Sequence, residues 1–133
     1  MKKIICVVLT ISFFIFGCAG SKISPNAVSL GVDFSFDKQH KCSSSSPAIK
    51  VSNVPAGTKT FKVTLVDIDV PAWNHGGGSV ANDGSGVIPE GALTSGYNGP
   101  CPPSGSHTYQ FTVKAINAEG TIIGIGDKSQ RFP

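Results

Sequence analysis

The chain has 133 residues, which leaves room for one domain; an export signal removed from it leaves about 115 residues, enough for a single modest core. Charged residues make up only 14 %, against 16 glycines and 9 prolines, a mixture typical of strands joined by tight turns and not of long helices. The formal charge of +3 includes Lys2 and Lys3; without them Lys plus Arg falls from 11 to 9 against 8 acids, a balance of +1 that carries no electrostatic footprint for nucleic acid.

Residues 1–17 read as a signal peptide: the basic pair Lys2-Lys3, an apolar run from Ile4 to Phe16, then small residues around Cys18. The run is about 13 residues, short of the roughly 20 needed to span a bilayer. Ile15-Phe16-Gly17-Cys18 resembles a bacterial lipobox, which implies lipidation of Cys18 as the mature N-terminus and a place in the cell envelope, on the periplasmic face of the outer membrane. An ordinary signal cut near Gly20 or Ser21 is the other reading. Residues 18–26 are expected to form a tether without periodicity, and residues 27–133 the folded domain.

From Val28 to Phe36 the apolar residues alternate without a break, the period of a half-buried strand. A turn-rich loop ends in Ser46-Pro47, and a short strand is predicted over Ala48–Val51. Thr60–Val66 is dense in β-branched and aromatic residues and reads as a central strand buried on both sides. The stretch Asp67–Tyr97 reads as one long loop, of the kind that carries function, with Gly78–Val80 as a short strand inside it. Gly99–Gly105 is a second loop. Tyr109–Ile116 alternates strongly, and Thr121–Ile125 and Ser129–Phe132 are predicted as edge strands.

Cys42 and Cys101 are the two cysteines of the domain. An even pair in an oxidising compartment suits one disulfide, with two thiols in neighbouring loops as the alternative. The polar groups at strand ends are Asp67 and Asp69 in Asp67-Ile68-Asp69-Val70-Pro71, then His75, and His107 with Tyr109 beyond Pro102-Pro103. An Asx turn before proline explains an Asp-x-Asp-x-Pro string as readily as a site does. No His-x-x-x-His, Cys-x-x-Cys or Gly-x-Ser-x-Gly spacing is present, so no metal, cofactor or catalytic nucleophile is expected.

The run Thr64-Leu65-Val66 into Asp67-Ile68-Asp69-Val70-Pro71 resembles the Asp-Pro-Asp-Ala-Pro motif of the phosphatidylethanolamine-binding protein family. Pro102-Pro103-Ser104-Gly105-Ser106-His107-Thr108-Tyr109 resembles that family's second motif, and Cys42 to Pro47 its Ser-Pro loop. Two ordered motifs at this separation, within a likeness covering Val28 to Pro133, are far more specific than a lone short pattern. The bacterial Raf-kinase-inhibitor-like branch is the nearest in pattern. The resemblance implies an all-β fold, a small Greek-key-like β-sandwich lacking the C-terminal helix of larger members, and therefore a shallow, open pocket.

It also implies a binding protein and not an enzyme. Its pocket would take a small anion, phosphate or a phospholipid head group, lined by Asp67, Asp69, Pro71, His75, Pro103, His107 and Tyr109. The alternative that the resemblance carries is an inhibitory protein that meets a kinase- or protease-like partner through surface loops. This chain departs from the family pattern at Trp73, which precedes His75 by two residues where the family places Trp directly after its histidine, and at Cys101, where many members have Gly.

Overall fold

The computed structural model describes residues 20–133; the signal peptide and Cys18 lie outside them. Eight strands run in chain order: β1 (Ile23–Ser29), β2 (Gly31–Asp33), β3 (Ile49–Ser52), β4 (Thr60–Asp67), β5 (Asn74–Ala81), β6 (Val87–Ile88), β7 (His107–Ile116) and β8 (Ile122–Phe132). The one helical element among the described residues is a 3-10 turn, Lys38–His40, whose first amides are capped by the Asp37 side chain. Five strands form one sheet in the order β1-β8-β7-β4-β5, and three form a second in the order β2-β3-β6. The β1–β8 pair is parallel and every other pair antiparallel. The all-β architecture expected from composition and pattern is therefore present.

The alternating residues explain how the two sheets meet. Phe61, Val63 and Leu65 of β4 and Tyr109, Phe111, Val113 and Ala115 of β7 point inward, against Phe34, Phe36, Ile49, Val51 and Ile88 from the smaller sheet side. Phe36 lies at the centre of this packing, with ring centroids 5.1 Å from Phe34, 5.7 Å from Phe111 and 5.5 Å from Phe132. Offset and edge-on aromatic contacts of this kind add to the burial of apolar area that drives the collapse.

Five expectations need correction. The continuous strand over Val28–Phe36 is divided: the chain leaves β8 at Ser29 and joins β3 from Gly31, with buried Leu30 at the switch. Alternation persists across the switch because both sheets face one core. Leu30 passes so close to β8 that a Cβ on Gly126 would stand 2.9 Å from its Cβ, so the glycine is needed for the crossing. The expected tether ends early, since Ile23 to Asn26 already belong to β1.

Thr60–Val66 is buried on one face alone: Lys62, Thr64 and Val66 are exposed, because among the described residues no layer covers that side of the large sheet. The two predicted edge strands near the C-terminus are one strand, β8, which lies between β1 and β7. The long loop from Asp67 to Tyr97 contains β5 and β6. Its glycines lie in β5 because the Leu93–Gly96 segment crosses over them: a Cβ on Gly78 would meet the Leu93 Cα at 2.9 Å.

Candidate functional site

The antiparallel register sets the last residue of β4, Asp67, opposite Tyr109 of β7. Both motifs are thereby brought to one end of the large sheet. Asp67 is 4 % exposed, and its charge is held by three donors: His107 Nδ1 at 2.6 Å on one oxygen, and the amides of Asp69 and Val70 at 2.9 and 3.1 Å on the other. Burial pushes its pKa up, but the bonds from His107, Val70 and Asp69 outweigh that, and the carboxyl is held below its ordinary value of 3.8.

His75, from β5, is 3 % exposed, and its Nδ1 lies 2.7 Å from the Asn98 carbonyl. A carbonyl only accepts, so that nitrogen carries the proton and donates it. His107 likewise donates from Nδ1 to Asp67. In both rings Nε2 is the nitrogen left for a ligand. Next to His75, Gly76 has φ +67°, and a Cβ there would run into the Gly96 and Ser95 backbone; glycine is what lets the chain turn at this close approach.

Tyr109 lies between the two imidazoles, with ring centroids 5.3 Å from His75, edge-on, and 6.3 Å from His107, near-parallel. It is fully buried, and its hydroxyl has no hydrogen-bond partner among the described residues. Burial first, then the negative charge of Asp67, pushes its pKa up to about 12, so it is a neutral donor at any physiological pH.

These groups form the floor of a cavity of about 240 Å³, walled by Val70, Trp73, Cys101, Pro102 and Pro103. Of the expected ligand residues, Asp67, His75, Pro103, His107 and Tyr109 line it together. Asp69 and Pro71 do not. Asp69 is exposed, and its carboxylate accepts the Thr108 amide at 2.6 Å, which staples the first motif to the second. Pro71 is exposed on the loop beyond.

Val70, Trp73, Cys101 and Pro102 were not among the expected lining residues. Trp73 had the one legible signal, a tryptophan two residues from a site histidine. The run Gly76-Gly77-Gly78, a candidate anion nest, is spent on structure: Gly77 and Gly78 pair with Thr64 and Val63, and Gly76 N–H donates to Asn74. Cys42 and Cys101 are joined by a disulfide, with Cα atoms 4.6 Å apart. Among the described residues no group of three or more His, Cys, Asp or Glu side chains is placed to hold a metal ion.

A two-sheet β-fold with a half-open pocket at a strand end, floored by Asp67, His75, His107 and Tyr109, is a ligand-binding type of fold. The chain belongs to the phosphatidylethanolamine-binding protein family, whose family model matches residues 16–131. It is 35 % identical over 103 residues to the UPF0098 protein YbhB of Escherichia coli K12, covering 61 % of this chain and 65 % of that one. It is 36 % identical over 101 residues to the UPF0098 protein YbcL of the same strain, covering 56 % and 54 %. The matches thus span between about half and two thirds of these relatives.

Among solved structures, the phosphatidylethanolamine-binding protein homologue CT736 of Chlamydia trachomatis superposes with a TM-score of 0.59 at 23 % identity, over 81 % of this chain and 98 % of that one. The crystal structure of YbcL, described as a member of the mammalian family, gives 0.50 at 23 % over 85 % and 91 %. These two likenesses concern the fold.

Proposed function

We propose that the protein is an exported, lipid-anchored binding protein whose pocket holds a small anion, phosphate or a phosphorylated head group, and that it is not an enzyme. The observation that carries the pocket is the convergence of His75, His107 and Tyr109 on the floor of one cavity, with each imidazole's Nδ1 already bonded to the protein and its Nε2 left for a ligand. The Tyr109 hydroxyl, buried beneath that floor, becomes a further donor once a small side-chain shift opens it to a ligand oxygen. Asp67 does not repel the anion strongly, because His107 and two amides already share its charge. A proton taken up on either imidazole adds a charge-assisted donor, so anion binding strengthens as pH falls.

The family's name, from phosphatidylethanolamine, supports a phosphate ester as the ligand class. The lipid anchor and the periplasmic face of the outer membrane rest on the Ile15-Phe16-Gly17-Cys18 pattern, which lies outside the described residues. A second reading, an inhibitory surface for a kinase- or protease-like partner, is favoured by one feature: Val66, Ile68, Val70 and Trp73 are exposed apolar side chains close in sequence, and Val70 and Trp73 also line the pocket.

Calorimetric titration with phosphate and phosphoethanolamine at about pH 6 and pH 7.5, which bracket the range where imidazoles commonly change charge, tests the pocket. Binding that strengthens at the lower pH and is lost in His107→Ala is the expected outcome. A folded wild-type protein that binds neither compound at either pH removes the anion pocket and promotes the partner-protein reading.

A further inference from the structure

The register of the large sheet fixes which end of the molecule carries the pocket and which end receives the N-terminal chain. Ile23 of β1 is level with Ile122 of β8, which pairs with Ile116 of β7, which in turn pairs with Thr60 of β4. The Lys22 carbonyl is pinned at that level by the Ile122 amide, at 2.8 Å. At the other end of the same strands, Asp67 pairs with Tyr109 and His107 with Phe132. From Ile116 to His107 the strand has 10 residues, so nine steps cover about 30 Å at roughly 3.3 Å per residue.

Between Cys18 and Lys22 lie four residue steps, which reach at most about 14 Å even when fully extended. A lipid on Cys18 therefore holds the Ile116 end of the sheet near its bilayer, and the tether is too short for the domain to invert and press its pocket end face-down on the same surface, which would lift Lys22 about 30 Å away. We infer that the anchored protein presents its pocket to the aqueous phase and takes its phosphate ester from solution, not from the head groups of the bilayer that carries it. This rests on the Cys18 anchor and the anion pocket proposed above, and goes beyond them to the source of the ligand.

Trp73 supplies the measurement. It is the only tryptophan of the chain, it lines the pocket and it is 66 % exposed, so its emission reports whether the pocket mouth touches lipid. The mature acylated protein is placed in phosphatidylcholine vesicles that carry a head-group nitroxide quencher, with and without phosphatidylethanolamine. Trp73 emission is expected to equal that in quencher-free vesicles. The affinity for added phosphoethanolamine is expected to agree within about two-fold with and without phosphatidylethanolamine, because head groups that reached the pocket would compete at high effective concentration.

Quenching of Trp73, or a drop of about tenfold or more in that affinity on adding phosphatidylethanolamine, overturns the inference. A Cys18→Ser variant with its acyl chain attached beyond Pro133, at the pocket end, is expected to be quenched. Equal emission from the two anchorages overturns the polar arrangement. Failure of either premise is read separately: an N-terminal peptide without acyl mass and protein that does not float with vesicles remove the anchor, and absence of phosphoethanolamine binding in every arm removes the pocket. Either of these also overturns the inference.

Discussion

Tyr109 separates a site from a merely buried residue more sharply than either histidine does. Its hydroxyl makes no hydrogen bond of good geometry among the described residues, although the Cys101 backbone and the Asp67 carboxylate lie close enough to act on it, so Tyr109→Phe is expected to change thermal stability by no more than about 1 kcal/mol while phosphate binding falls. Thermal melts alongside calorimetry check this; a clear loss of stability would mean that the hydroxyl has a structural partner. Asp67 behaves in the opposite way. Its carboxyl titrates below its ordinary value when folded, so it contributes stability that is fully present above the unfolded value of about 3.9 and is lost as pH falls through the folded one. Asp67→Asn is therefore expected to lower stability near neutral pH and to flatten the acid limb of a denaturation series run from about pH 5 to pH 2. An acid limb as steep as that of the wild type would show that the His107 and backbone bonds to this carboxylate contribute little. At this scale the sequence was informative for residues in ordered motifs, Asp67, His107 and Tyr109. It was blind to Val70 and Pro102, whose roles come from where a loop folds back and not from residue type.

Element by element, strands with clean alternation were legible, β4 and β7 above all, because inward and outward residues differ in polarity. β5 was not, since Gly76-Gly77-Gly78 signals a turn by propensity while the overlying Leu93–Gly96 backbone demands residues without side chains. β8 was read as two pieces because Gly126 and Asp127 interrupt its pattern. In the folded sheet these residues serve the Leu30 crossing and the bond from Gln110 to Asp127 at 2.6 Å. The loop before β3 is tied to the pocket wall by the disulfide, whose partners are 59 residues apart, and by backbone bonds from Cys42 to Pro100 and Gly99 to Ser43, both 2.8 Å. A crosslink over a loop of that length contributes about 4 kcal/mol in the chain-entropy model. Replacing both cysteines by serine is expected to cost that order of stability in a denaturant titration. Because Cys101 lines the cavity, anion binding should also weaken at temperatures where the variant remains folded. Retained affinity would show that the backbone bonds alone hold the wall.

Across the whole molecule, one core joins both sheets, and the pocket floor rests directly on it. Phe36 packs 6.1 Å from Tyr109 as well as against Phe34, Phe111 and Phe132, so core and site share a residue. Among the described residues no layer lies over the opposite face of the large sheet, which patterning alone missed: a strand rich in Thr and Val looks the same whether one face is covered or two, and only the topology decides. The two faces therefore make opposite predictions. Phe36→Ala is expected to cost about 3–5 kcal/mol through the cavity it leaves, and to weaken ligand binding by loosening Tyr109. Val66→Thr, on the open face of β4, is expected to shift stability by no more than about 0.5 kcal/mol. Paired urea titrations of the two variants measure this contrast. A cost at Val66 comparable with that at Phe36 would mean that a second layer covers the sheet, as the strand's composition first suggested, supplied by a further segment or by a partner seated on Lys62, Thr64 and Val66.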